Sequence, residues 1–141
     1  MKKILVVCTG NSCRSQMAEG YLKYFANEKA MVYSAGLEAH GLNKLAVASM
    51  LEDGIDISQH TSNTIEQYSH LNFDFIITVC DHANEHCPVI NASALRFHQN
   101  FTDPSKFEGS AEATNIQFGL TRERIKLYCK QFFENNLCES I

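Results

Sequence analysis

Four consecutive apolar residues, Ile4-Leu5-Val6-Val7, run straight into Cys8-Thr9-Gly10-Asn11-Ser12-Cys13-Arg14. A short unbroken apolar run fits a strand buried on both faces, the kind found at the centre of a parallel sheet. Beyond Arg14, the apolar residues Met17, Ala18, Tyr21, Leu22 and Phe25 return at helical spacing. A buried strand, a polar loop and an amphipathic helix in that order restrict the fold to families built from strand-helix units.

The alternation continues down the chain. Met31 to Gly36 reads as a second strand ending at a glycine, and a helix through Leu45, Ala46, Ala48 and Met50 stops near Gly54. Thr61-Ser62-Asn63 is placed to cap a short helix reaching Tyr68. Phe73 to Val79 is β-rich and ends at Cys80, and Ala94 to His98 forms a last strand. Ile125, Tyr128, Cys129, Phe132 and Phe133 share one face of a closing helix. With no internal repeat, low-complexity tract or linker, one domain over residues 1–141 is expected. The fold class is α/β: a three-layer sandwich with a central four-stranded parallel sheet, right-handed crossovers and helices on both faces. Ligands in such sheets sit beyond the carboxyl ends of the strands. Cys8, Gly36, Cys80 and the segment after His98 all fall there.

Composition narrows the function. The chain has 141 residues, 45% apolar and 20% charged, which is ordinary for a globular protein. A net charge of -4 argues against wholesale binding to nucleic acid or an anionic membrane, so an anion must be held by local design. The apolar start is shorter than the ~7–15 residues of a signal-peptide core, and no run approaches the ~18 of a membrane helix. A cytoplasmic protein is expected, its six cysteines resting as thiols whose reactivity matters more than stapling.

The segment from Cys8 to Arg14 carries the chemistry. A loop of this kind curls so that several backbone N–H groups face one tetrahedral anion, and the helix opened by Arg14 adds positive charge from its N-terminus. The same groups favour a thiolate at Cys8. Thr9, Gly10, Asn11, Ser12, Cys13, Arg14 and Ser15 are the candidate oxyanion-binding residues. Ser15 is placed to hydrogen-bond the thiolate, and Cys13 is expected to pack beneath the loop. The plainer alternative makes Cys8 a small buried residue at a strand end. Asp103-Pro104 offers a general acid for an oxygen leaving group, the proline biasing Asp103 towards an extended backbone; an ordinary turn is the competing reading.

Cys80-Asp81-His82-Ala83-Asn84-Glu85-His86-Cys87-Pro88 admits three readings. It could be a metal site built from Cys80, His82, His86 and Cys87, a redox pair, or a surface loop with incidental thiols. If residues 80 to 87 are helical, their Cα atoms stand about 10 Å apart at ~1.5 Å per residue. A disulfide needs less than about 7 Å. Oxidation of this pair therefore predicts a switch, helical when reduced and looped out when oxidised.

In these motifs the chain resembles the low-molecular-weight tyrosine phosphatase superfamily, and more closely its thioredoxin-coupled arsenate reductases. The resemblance rests on residues 8–20, Tyr33-Ser34-Ala35-Gly36, residues 56–62, the Cys80/Cys87 pair and Asp103-Pro104. It implies that Cys8 attacks arsenate, a phosphate mimic, while Arg14 and the loop amides hold its oxygens and Asp103 protonates the departing hydroxide. It further implies a Cys8–Cys80 disulfide, then a Cys80–Cys87 disulfide presented to thioredoxin. Phosphate or sulfate act as analogues, no cofactor is bound, and an external thiol (thioredoxin, or glutathione with glutaredoxin) supplies electrons to a monomer. Some family members bind potassium through positions matching Asn11, Glu19, Ser34 and an aspartate where this chain has Asn63. The phosphatases place a tyrosine where this chain has Ser105. A phosphatase acting through a phosphocysteine at Cys8 is the alternative activity, and a regulatory anion- or metal-binding module stands in a different class.

Overall fold

A computed structural model of the chain describes residues 1–88 and 93–137. Four strands, β1 (Lys2–Cys8), β2 (Ala30–Gly36), β3 (Phe75–Thr78) and β4 (Leu95–His98), form one sheet in the order β2-β1-β3-β4. Every pairing is parallel. The helices are α1 (Arg14–Ala26), α2 (Lys44–Glu52), α3 (Asp81–His86) and α4 (Ala111–Asn136), with 3-10 turns at Asn27–Lys29, Ile65–Tyr68 and Pro104–Lys106. This is the expected α/β architecture, with β1 central and Ile4 to Val7 fully buried.

Register sorts the side chains into two faces, since successive residues of a strand point opposite ways. Ile4 pairs with Val32 and Phe75, and Ile77 with Phe97, so these residues face one side. There Phe132 of α4 meets Phe75 and Phe97 edge-on, at 5.4 and 5.1 Å between ring centroids. Leu5 pairs with Tyr33 and Ile76 on the opposite side. There Tyr33 packs on Tyr68 and Phe73. Both faces are thus covered by rings from connecting segments and helices. Arg122 fastens α4 to α2 by donating to the Ser49 carbonyl at 2.8 Å.

The local differences from expectation have physical causes. The third strand is shorter than residues 73–79 and the fourth omits Ala94, because each pairs only where its neighbour runs alongside. The short helix before Tyr68 is a 3-10 turn capped by Thr64 in a capping box with Gln67. It is not capped by Thr61-Ser62-Asn63. Those residues are drawn away by the loop after β1: Ser62 Oγ donates to the Asn11 carbonyl, and Asn63 N–H to Asn11 Oδ1. Gly54 closes α2 in the left-handed region at φ 78°. Cys138 lies outside the described residues. Among the described residues no helix is long and apolar enough to cross a membrane.

Candidate active site

The loop after β1 is held from behind. Its carbonyls from Cys8 to Cys13 each accept a hydrogen bond. Leu37, Glu38, His40 and Asn43 N–H groups serve Cys8, Thr9, Gly10 and Ser12 at 2.8–3.2 Å, and Met17 N–H serves Cys13. Ser62 Oγ and Gln16 Nε2 serve Asn11. A trans peptide points its C=O and N–H to opposite sides. Tying the carbonyls to the frame therefore turns the N–H groups of Thr9 through Arg14 away from those partners, and Cys8, Thr9, Gly10, Ser12, Cys13 and Arg14 line a cleft of about 550 Å³. Asn11 takes φ 48°, a left-handed conformation that asparagine tolerates, and this bends the loop into a nest. The first N–H groups of α1 have no partner within the helix, so they and the helix dipole add to the same positive cradle.

Close packing fixes this shape. A methyl group on Gly36 would stand 2.7 Å from the Thr9 carbonyl and 2.8 Å from the Asn11 nitrogen. Only a residue without a side chain lets the end of β2 lie against the loop.

Cys8, buried at the mouth of this cradle, has its Sγ 2.9 Å from Ser15 Oγ. Asn11 Oδ1 accepts the Asn63 N–H, so its amide nitrogen donates to both Ser15 Oγ (2.8 Å) and Ser34 Oγ (2.9 Å). Ser15 thus receives one hydrogen bond from Asn11, and its own proton is placed to be donated to a Cys8 thiolate. Ser34 Oγ in turn donates to Glu19 Oε1 at 2.5 Å. Beside them His60 sits 3.6 Å from Glu19 and 3.1 Å from Gln16 Oε1, and burial holds its imidazole below the ordinary histidine range. Cys13 is buried beneath the loop, and burial pushes its thiol far up.

Across the cleft, Arg14 Nη1 donates to the Phe101 carbonyl at 2.9 Å, and its Nη2 lies 3.5 Å from Asp103 Oδ2. Asp103 has an extended backbone, and its other oxygen accepts from Ser105 N–H and Ser105 Oγ at 2.9 and 2.6 Å. It is therefore both a turn-former and a cleft-lining acid.

Cys80 arrives from the neighbouring strand. Val7 pairs with Thr78, and Val79 N–H bonds to the Val7 carbonyl, so the chain leaving β3 runs beside Cys8. Adjacent strands lie about 4.8 Å apart. Cys80 Sγ is 3.4 Å from Thr9 Oγ1 and lines the same cleft as Cys8. It is also the N-cap of α3, accepting from Ala83 N–H. Cys87 is the C-cap of that helix, a half-buried free thiol that donates to the Pro88 carbonyl. Partial burial pushes its thiol up, with Arg96 pulling the other way. Cys8, Arg14, Cys80 and Asp103 thus share one cleft, and Cys87 waits one short helix away.

Neither metal reading gathers its ligands. Cys80 and Cys87 cap opposite ends of α3, and among the described residues no three His, Cys, Asp or Glu side chains converge as a metal site. Asn11, Ser34 and Glu19 do come together, but the donor set does not suit potassium. Asn11 presents an NH2, Glu19 is taken up by Ser34 and the Lys23 ammonium, and the Asn63 amide donates to Thr61 and Tyr68. Sequence reasoning missed the cleft-lining residues His40, Asn100 and Lys106, and it read His82, which also lines the cleft, only as a metal ligand. His40 packs on Gly10 and pairs with Glu38 at 2.7 Å. Its nearness to the strand end at Gly36 was the available signal.

The sequence model of the low molecular weight phosphotyrosine protein phosphatases matches residues 3–140. The chain belongs to this family. Within it, the chain is 47% identical to an arsenate reductase of Shouchella clausii over 133 residues, covering 94% of this chain and 96% of that one. Among solved structures it is similar to an arsenate reductase in the phosphate binding state, with TM-score 0.73, 35% identity, and coverage of 93% and 98% of the two chains. It is also similar to one in the oxidized state, with TM-score 0.83, 31% identity, and coverage of 96% and 98%.

Proposed function

We propose that the protein is an arsenate reductase working through three cysteines in sequence. The observation that carries this reading is the second thiol in the cleft: Cys80 lines the wall beside Cys8 and caps a helix whose other cap is Cys87. A phosphatase has no use for that arrangement. The named activity of its relatives, and a relative solved in an oxidized state, support the same chemistry.

The reaction then balances as follows. The Cys8 thiolate attacks arsenic(V) held by the loop N–H groups and Arg14, and hydroxide leaves as water with a proton from Asp103. Cys80 attacks Cys8 Sγ, and the S–As electron pair passes to arsenic, giving arsenite and a Cys8–Cys80 disulfide. Cys87 attacks Cys80 Sγ and frees the Cys8 thiolate. The two thiols oxidised supply the two electrons that arsenic(V) needs. A dithiol such as thioredoxin reduces the Cys80–Cys87 bond, so no bound cofactor is required. The place of action is the cytoplasm, where reductant is abundant.

The test is arsenate-dependent thioredoxin oxidation by wild type, Cys8→Ser, Cys80→Ser and Cys87→Ser. Cys8→Ser and Cys80→Ser should be inactive, and Cys87→Ser should stop after about one turnover. Steady turnover by Cys87→Ser with thioredoxin alone would sink the relay. Hydrolysis of phosphomonoesters through a phosphocysteine is the second reading, favoured by Arg14 and Asp103 facing each other across the cleft. It predicts activity that survives loss of Cys80 and Cys87 together.

A further inference from the structure

Helix α3 carries two imidazoles that the relay does not use. His82 and His86 stand one helical turn apart, with ring centroids 4.4 Å apart and planes at 46°. Among the described residues neither makes a hydrogen bond or ion pair beyond this ring contact. Two histidines at i and i+4 on one helix face are a ready bidentate ligand for a transition metal. The spacing can be checked. A metal–nitrogen bond of about 2.1 Å places each ring centroid about 3.2 Å from the ion, so two imidazoles at a right angle have centroids about 4.5 Å apart, and at a tetrahedral angle about 5.2 Å. The observed 4.4 Å leaves the two rings near enough for both to reach one ion.

The neighbouring thiols do not complete the site. Cys80 is buried and turned towards Thr9 and the Ala83 N–H, and Cys87 donates to the Pro88 carbonyl. Of these four side chains only the two imidazoles are therefore free to ligate an ion. Their pairing exists only while residues 81 to 86 are helical. A Cys80–Cys87 disulfide must bring Cα atoms about 10 Å apart to within about 7 Å, which unwinds that helix and parts the two rings.

We propose that His82 and His86 form a chelating site for a divalent transition metal, and that its occupancy and the Cys80–Cys87 disulfide exclude each other. The second half rests on the relay proposed above. When the Cys87 thiolate displaces the Cys8 thiolate from Cys80, one S–S bond forms and one breaks. The metal departs as the same dication, with water taking the places of the imidazoles. By mass action, metal at ten times its dissociation constant for the helical form shifts the dithiol/disulfide ratio about tenfold towards the dithiol. The site would make the last step of the relay sensitive to metal load.

Nickel(II) is the probe, followed by calorimetry on the full chain. Reduced wild type should bind one ion, Cys87→Ser should bind equally well, and His86→Gln should bind at least tenfold more weakly. The same protein oxidised to the Cys80–Cys87 disulfide should have lost the site. Binding unchanged by His86→Gln, binding abolished by Cys87→Ser, or no binding at all would overturn the chelate. Equal affinity in both redox forms would overturn the exclusion. Binding that depends on His86 in a protein that never forms the Cys80–Cys87 bond would sink the relay, and with it the exclusion, leaving the chelate standing.

Discussion

Ser15 has one proton to give, and the atoms around it decide where it goes. Because Asn11 already donates to its oxygen, the hydroxyl proton is left for a Cys8 thiolate, while the second Asn11 N–H goes to Ser34, which donates on to Glu19. Hydrogen bonds to a charged acceptor contribute roughly 1.5–3 kcal/mol. Ser15→Ala should therefore slow alkylation of Cys8 by iodoacetamide at neutral pH by about tenfold or more, read by mass spectrometry of the Cys8 peptide. Asn11→Ala should do the same and also weaken phosphate binding, since it removes the residue that bends the loop. Gly36→Ala should unseat the loop without touching any reacting atom, and is checked by loss of phosphate affinity in a chain that still folds. His60 gives a pH signature. Its folded imidazole lies below the unfolded value of about 6.5, so the unfolded chain takes up the proton first as pH falls. Stability is full above that value and declines as pH drops through the folded one. Thermal melts between pH 8 and 5 should show this slope, and His60→Gln should flatten it.

At the scale of elements, α3 is the part that the proposed relay requires to change. Six residues are too few for a helix to persist by propensity alone. It is held by its caps and by Asp81, which pairs with His98 of β4 at 2.7 Å while that ring also bonds to Thr78. Amide exchange across residues 81–87 should be slow in the dithiol form and rapid in the disulfide form. Asp81→Asn should raise exchange in the dithiol form alone. Equal protection in both forms would remove the unwinding step. The sequence already contained much of this element: given a helix between Cys80 and Cys87, their spacing predicts a conformational change on oxidation, and the helix is there. The latch from His98 was not legible, because it joins residues 17 positions apart through a strand pairing that no local pattern encodes. The same holds at the loop. Cys8, Arg14 and the polar stretch between them point to an anion site, since a polar loop has no packing reason to surround a buried thiol. That Ser62 and Asn63 brace it from 51 and 52 residues away had no local signature, and the pattern around them looked instead like a helix cap.

Over the whole molecule, the sheet fixes the site by bringing two strand ends together, and α4 fixes the sheet. Phe132 is buried against Phe75 and Phe97, and truncating a buried ring costs about 3–5 kcal/mol. Phe132→Ala should lower the urea midpoint sharply while leaving Cys8 alkylation in the folded protein unchanged, which separates stability from chemistry. The strand alternation was legible because each apolar run has the length and bounds of its element. The order β2-β1-β3-β4 is encoded by no local pattern, because it depends on which strands pair across the sheet.

A cradle whose carbonyls are all anchored from behind has a consequence for selectivity. It is rigid before any anion arrives, and what it measures is size, tetrahedral shape and charge. Phosphate and arsenate are nearly equal on those counts, so such a site cannot sort them at the door. Discrimination is deferred to what happens after the sulfur bond forms: in the proposed relay a second thiol attacks Cys8 Sγ and the S–As electron pair passes to arsenic, a reduction that phosphate does not undergo. In a cell the working rate of such an enzyme is therefore set by the ratio of the two oxyanions, and phosphate acts as a standing competitor that no tightening of the loop can remove.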